Sequence, residues 1–155
     1  KSALTGNHYT NRVTGILEKE NEQYLIVAAR IESEIAELES FEERQIFLES
    51  MGLEESGVSR LIKAAFKLLD LETYFTAGPM EVKAWTYLKG TKAPQAAGLI
   101  HSDFEHGFIR AEVIKFKDYM HYGSQAACRE AGKMAVEGKN YVVQDGDIMH
   151  FLFSR

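Results

Sequence analysis

The chain has 155 residues, 45% of them hydrophobic and 26% charged, the balance of an ordinary globular chain. No apolar run approaches the ~20 residues a membrane-crossing helix needs, and no basic start followed by an apolar stretch marks a secretory signal. The net charge of -5 is uneven: 8 Lys+Arg face 14 Asp+Glu through Met80, giving -6, and 10 face 9 from Glu81 onward, giving +1. An anionic partner such as RNA is therefore to be sought at a local patch of the second half. Cys128, the single cysteine, can form no internal disulfide, so a reducing compartment is expected.

In chain order, Asn7 is placed to cap a first helix with Val13, Ile16 and Leu17 on one face. Tyr24–Ala29 is a continuous apolar run and reads as a buried strand of a parallel sheet, which needs neighbours beyond this stretch. Ile31–Leu38 and Phe41–Met51 read as helices. Ser40 with Glu43 forms a capping box for the second, and Gly52 stops it so that Leu53 folds back on Leu48. The glutamates here, from Glu32 to Glu43, read as a solvated helix face, since catalytic carboxylates would need a nucleophile or metal beside them. Val58, Leu61, Ile62, Ala65 and Leu69 recur at helical spacing and predict a core stripe. Ala77-Gly78-Pro79 is the only Gly/Pro break in this region, which sets a domain boundary between 77 and 78.

Val82–Leu88 reads as a strand, with Lys83 and Thr86 facing away from the apolar side and Gly90 ending it. Lys92 to Pro94 form a turn, because the residue before a proline is pushed out of helical space. A short helix follows from Gln95, and His101, Asp103, Glu105 and His106 read as a loop. Phe108–Ile114 alternates as a strand. Lys115–Tyr119 turns into a helical segment, and Ser124 caps a helix carrying Ala126, Ala127, Ala131 and Met134. Tyr141–Gln144 and Ile148–Phe153 read as two strands joined in a hairpin by Asp145-Gly146-Asp147.

Several constellations bear on function. His101, Asp103, Glu105 and His106 are metal-ligand residue types, but a zinc site needs three or four converging ligands, and a polar contact surface serves as well. Lys89, Lys92, His101, Arg110 and Lys115 could form a basic face for backbone phosphate. Trp85, Phe104 and Phe108 could stack on bases or simply fill a core. Tyr119, His121, Tyr122 and Gly123 offer an interaction loop or a plain connection. Ser124 lacks the surroundings of a nucleophile elbow.

The segments AWTYLKGTKAPQAAGLIHSDFEHGFIRAEVIKF and EGKNYVVQDGDIMHFLFSR closely resemble the C-terminal TGS domain of the Obg-like ATPases, the YchF family. YLIVAARIESEIAELE and LLDLETYFTAG are similar to the end of that family's nucleotide-binding domain. The resemblance implies an α+β chain: a β-grasp, ubiquitin-like TGS domain at residues 78–155, preceded at 1–77 by a mostly helical remnant of an α/β P-loop NTPase domain. It implies that Ala28, Ala29 and Arg30 stand where the nucleotide base is approached, although Leu25, Ile26 and Val27 serve equally as plain core. It implies a cytosolic, ribosome-associated ATPase with ATP and Mg in the full-length protein. The ribosome and ribosomal RNA are then the expected partners, reached through Lys89, Lys92, His101 and Arg110, with no membrane or DNA partner expected. No G-x-x-x-x-G-K-[ST] phosphate loop occurs in the chain. It therefore reads as a C-terminal fragment that docks and regulates rather than hydrolyses. TGS-like domains also serve as regulatory modules of threonyl-tRNA synthetase and stringent-response enzymes, the alternative reading. A free-standing metal hydrolase, resting only on the histidines and acids, is a third.

Overall fold

The computed structural model describes residues 6–78 and 81–154. The chain divides into two compact units, Lys1–Lys67 and Leu68–Arg155. The Gly/Pro break expected to separate domains instead follows Ala77 inside a hairpin of the second unit, where the Gly78 N–H donates to the Glu81 carbonyl (2.9 Å). Pro79 itself lies outside the described residues.

The first unit is helical. Helix α1 (His8–Glu20) starts at the Asn7 carboxamide, which accepts from the N–H groups of Tyr9 and Thr10, with Thr10 bonding back to complete a capping box. Helices α2 (Ala29–Ala36) and α3 (Phe41–Ser50) follow, the latter opened by the reciprocal Ser40–Glu43 box. Gly52 takes a left-handed conformation (φ +71°), and the Leu53 N–H returns to the Leu48 carbonyl (2.9 Å). Leu48, Leu53 and Ile35 then close a small core with Ile31 and Phe47. The Glu32 carboxylate accepts from the N–H groups of Gly57 (2.7 Å) and Val58 (3.2 Å), capping α4 (Gly57–Leu68) across the unit.

Two expectations fail in this unit. Residues 22–28 form no strand, and Tyr24 and Val27 are 44% and 42% exposed, because no neighbouring strand among the described residues supplies a ladder. The Val58–Leu61–Ile62 stripe is amphipathic as expected, yet each residue is half exposed and Leu69 more so, so the stripe is not part of the core of the described helical unit.

The second unit is built on a five-stranded mixed sheet in the order β2-β1-β5-β3-β4, with β1 Leu71–Ala77, β2 Val82–Leu88, β3 Phe108–Lys115, β4 Met134–Glu137 and β5 Asp147–Phe153. Strands β1 and β5 are parallel neighbours; every other pairing is antiparallel. One face packs on α5 (Ala93–Ile100). Ala93, Ala96 and Ala97 are wholly buried, so this helix lies close on the sheet, and the Tyr74 hydroxyl donates to the Ala96 carbonyl (2.8 Å). Tyr74, Val113, Met149 and Phe151 fill the layer between them. The other face is covered by α7 (Phe116–Tyr122) and α8 (Gln125–Glu130), which bring Tyr119, Tyr122 and Cys128 onto Ile114 and Ile148.

The pairing Tyr74↔Trp85 puts Lys83, Trp85 and Tyr87 on the α5 face. Lys83 thus shares a face with Trp85, contrary to the sequence reading, and its ammonium lies 4.0 Å over the indole. Asp103–His106, expected as loop, belong to a short helix α6 (Ser102–His106). Met134 opens β4 rather than ending a helix.

The expected terminal hairpin is not formed. Tyr141–Gln144 pair not with β5 but with the turn before α5, through the bridge Lys92↔Val142, while β5 runs into the sheet between β1 and β3. The turn itself is present: Gly146 has φ +79° and its N–H donates to the Thr73 carbonyl (2.8 Å).

Candidate nucleic-acid interface

The four residues expected to meet RNA fall at opposite ends of the sheet. Lys89 closes β2 where β1 begins, its N–H on the Asp70 carbonyl (2.7 Å), and Lys92 caps α5 nearby. His101 sits at the far end of α5, and Arg110 lies opposite Leu152 near the end of β5. A strand of this length spans about 20 Å, so the two pairs cannot meet one phosphate together. They also differ in facing: Arg110 alternates with the buried Ala111 and so projects on the side away from α5.

The Lys89 end is a pair of loops zipped edge to edge. The Ala93 N–H donates to the Tyr141 carbonyl (2.9 Å), the Val143 N–H to the Thr91 carbonyl (3.0 Å), and Lys92 bridges Val142. A turn at Gly138–Tyr141 (Tyr141 N–H to Gly138 carbonyl, 3.1 Å) precedes the zipper and exposes Lys139. These are the stretches KGTKAP and GKNYVV, distant in sequence and adjacent in the fold. Lys139 was not singled out from sequence, and the signal for it was that second stretch itself.

Beneath the zipper lies a buried polar knot. The Asp147 carboxylate is wholly buried. It accepts from the Lys115 ammonium (2.6 Å), the Tyr141 hydroxyl (2.6 Å) and the Gln144 N–H (3.0 Å). Lys115 also donates to the Tyr141 hydroxyl (3.0 Å) and the Gln144 side chain (2.8 Å). A buried carboxylate is tolerable only when paired and hydrogen-bonded, and here both oxygens are satisfied. Burial pushes the Tyr141 hydroxyl up to about 12, reinforced by its bond to Asp147. Burial works against the Lys115 charge, but the bonds to Asp147 and Tyr141 outweigh it and raise its pKa. Alongside, the Tyr87 hydroxyl donates to Glu72 (2.9 Å), which also faces Lys89 (3.5 Å).

The His101 end is differently built. The His101 Nδ1 accepts from the Asp103 N–H (3.1 Å), capping α6, and lies 3.6 Å from the Asp103 carboxylate. An open cleft of about 800 Å³ is lined by His101, Asp103, Phe104, His106, Gly107, Phe153 and Ser154. Phe104 stacks on Phe153 (centroids 3.9 Å), and Phe108 is core. Among the described residues no three His, Cys, Asp or Glu side chains converge to hold a metal. Tyr119 and Tyr122 pack inward from α7, and Gly123 (φ +77°) ends that helix, so this stretch is a covered connection with His121 exposed on it.

In the first unit, Ala28 precedes α2 without a side-chain cap, and the Arg30 guanidinium pairs with Glu34 (3.0 Å) in solvent. Ala28, Ile31, Glu32, Leu53, Glu55, Gly57 and Arg60 line a recess of about 10 Å³, room for a water and no more.

A family model described as YchF-GTPase_C, protein of unknown function (DUF933), matches residues 71–154. The chain is 55% identical over 150 residues to a ribosome-binding ATPase YchF of Bacillus subtilis (strain 168), covering 97% of this chain and 41% of that protein. It is 54% identical over 124 residues to Obg-like ATPase 1 of Homo sapiens, covering 80% of this chain and 31% of that one. A solved structure of the Schizosaccharomyces pombe YchF GTPase superposes with a TM-score of 0.83 at 33% identity, over 96% of this chain and 39% of the other.

Proposed function

Because this chain belongs to the YchF family and corresponds to its C-terminal part, we propose that it is the ribosome-docking and regulatory portion of a nucleotide hydrolase. Binding and hydrolysis of ATP or GTP, with Mg, are assigned to the length of the family that this chain does not span, since it carries no phosphate loop. Ala28, Ala29 and Arg30 would form at most one wall beside the base, and nothing in this chain would hold the phosphates. The match to relatives runs through the helical unit as well as the sheet unit, which favours this reading over a regulatory module of a synthetase or stringent-response enzyme.

The observation that carries the docking role is the placement of the cations. Lys89, Lys92, His101 and Arg110 are all exposed, at strand ends and loops, on a unit that is near neutral as a whole. Such cations act on backbone phosphate without reading sequence, so binding should be salt-sensitive. Placed at two ends, they would touch a large RNA at two points. The test is co-sedimentation of the chain with ribosomes across a salt series, comparing it with the combined Lys89→Ala, Lys92→Ala, Arg110→Ala variant. The variant should bind more weakly, with the salt slope flattened by about one unit per lost contact. Failure of the unsubstituted chain to sediment with ribosomes at any salt would overturn the docking role.

A further inference from the structure

Ion pairing at the Lys89 end leaves some side chains over. At the Lys89 end, Glu72 is engaged by Lys89 and Tyr87, and Asp147 by Lys115 and Tyr141. Asp145 accepts from the Thr73 N–H (2.9 Å), and Asp70, whose carbonyl takes the Lys89 N–H, also stands at this end. Lys92 and Lys139 pair with no carboxylate among the described residues. At the other end the His101 Nδ1 is taken up by the Asp103 N–H beside the Asp103 carboxylate, and Arg110, unpaired among the described residues, stands alone on the side of the sheet away from α5.

We propose that the zipped loops Lys89–Ala93 and Gly138–Gln144 are the RNA-contacting edge of this unit, with Lys92 and Lys139 as its phosphate-binding residues. The assignment rests on the docking role above and sharpens it by adding Lys139 to the edge that carries Lys92. Three features support it. The two lysines sit on exposed loops, yet the backbones beneath them are held by a ladder of main-chain contacts. The ladder is in turn pinned from below, because Tyr141 and Gln144 are both bonded to the buried Asp147 and to its half-exposed partner Lys115. Loops fixed in this way lose little entropy on binding, which favours contact with a rigid polyanion. Lysine, a compact hydrated charge, suits phosphate contact without base readout.

The experiment uses the full 155-residue chain and a fluorescein-labelled RNA hairpin of mixed sequence, with anisotropy read across a salt series. Four proteins are compared: the unsubstituted chain, Lys92→Ala/Lys139→Ala, Lys92→Arg/Lys139→Arg, and Lys19→Ala/Lys67→Ala, two exposed lysines of the helical unit. The alanine pair at the zipper should lower the slope of log affinity against log salt by about two units. The arginine pair should restore it, and the lysine pair of the helical unit should leave it unchanged. If RNA binds but the zipper alanine pair keeps the original affinity and slope, this edge is wrong while docking on RNA stands. If the unsubstituted chain binds ribosomes but not the hairpin, or binds polyglutamate with the same slope, the RNA partner is wrong. If it binds neither ribosomes nor hairpin, the docking role falls as well.

Discussion

At the scale of single residues, Gly146 and Tyr141 carry the clearest consequences. Gly146 has φ +79°, and a Cβ there would come 3.5 Å from the Phe116 Cβ, so space is adequate and the conformation is the obstacle. A β-branched side chain is poorly tolerated in that region of φ. Gly146→Val is expected to cost roughly 1–3 kcal/mol, read as a lower melting midpoint. Because Gly146 holds the start of β5 against β1, an unchanged midpoint would mean that the turn rearranges freely. Tyr141 predicts a pH dependence. Its folded pKa, about 12, lies above the unfolded value of 10.0, so the folded form holds the proton more tightly. That stability is fully present below pH ~10 and is lost as pH rises toward about 12. Lys115, whose pKa is raised from 10.5 by its bonds to Asp147 and Tyr141, likewise loses its contribution only on the alkaline side. Thermal melts should therefore fall steeply between those limits, and Tyr141→Phe should fall less, having no phenol to ionise. Parallel curves for the two proteins would place the titration elsewhere.

At the scale of elements, helix α5 and the zipper show what packing demands of composition. Ala93, Ala96 and Ala97 are small because α5 sits directly on Tyr74, Val113 and Met149. Larger residues there would push the helix off the sheet. Ala97→Leu is expected to destabilise the chain by roughly 1–3 kcal/mol through overpacking, measured by denaturant midpoint at constant m. Equal stability would show that the interface has slack the wholly buried alanines do not suggest. The zipper depends less on its own side chains than on its main-chain ladder and the knot below it. This is why Lys92 and Lys139 are free to be exchanged without loss of fold.

At the scale of the whole molecule, the chain spans about 41% of a curated relative such as the Bacillus subtilis protein. No helix among the described residues is long and apolar enough to cross a membrane. With no phosphate loop, its purified form should turn over neither ATP nor GTP and bind them weakly at best, since loop amides and the loop lysine supply most phosphate affinity. Phosphate release well above a buffer blank, persisting through repurification, would contradict this. The half-exposed Val58–Leu61–Ile62 stripe belongs to this scale too. Its amphipathic spacing shows a helix made to lie against something, and nothing in the described residues covers it.

What could be read from the sequence was local or familial. Asn7, Ser40 with Glu43, Gly52 and Ser124 announced helix ends because caps are hydrogen bonds among residues a few positions apart. The motif stretches KGTKAPQAAG and GKNYVVQDGD carried the family, and with it the β-grasp unit. What the tertiary structure alone decided was which stretches are neighbours. Tyr141–Gln144 alternates like a strand, yet its ladder partner is the turn at Thr91–Ala93, because strand pairing is non-local and the same pattern suits several partners. Met134–Glu137 is too short for its period to show, and becomes a strand only because β3 offers it an edge. Lys89, Lys92, His101 and Arg110 looked like one basic face in the chain, but α5 and β3 carry two of them to the far end of the sheet. The fold instead zips the Gly138–Gln144 loop, which carries Lys139, onto the turn that carries Lys92, since the order of strands, not the spacing of lysines, sets which charges share an edge.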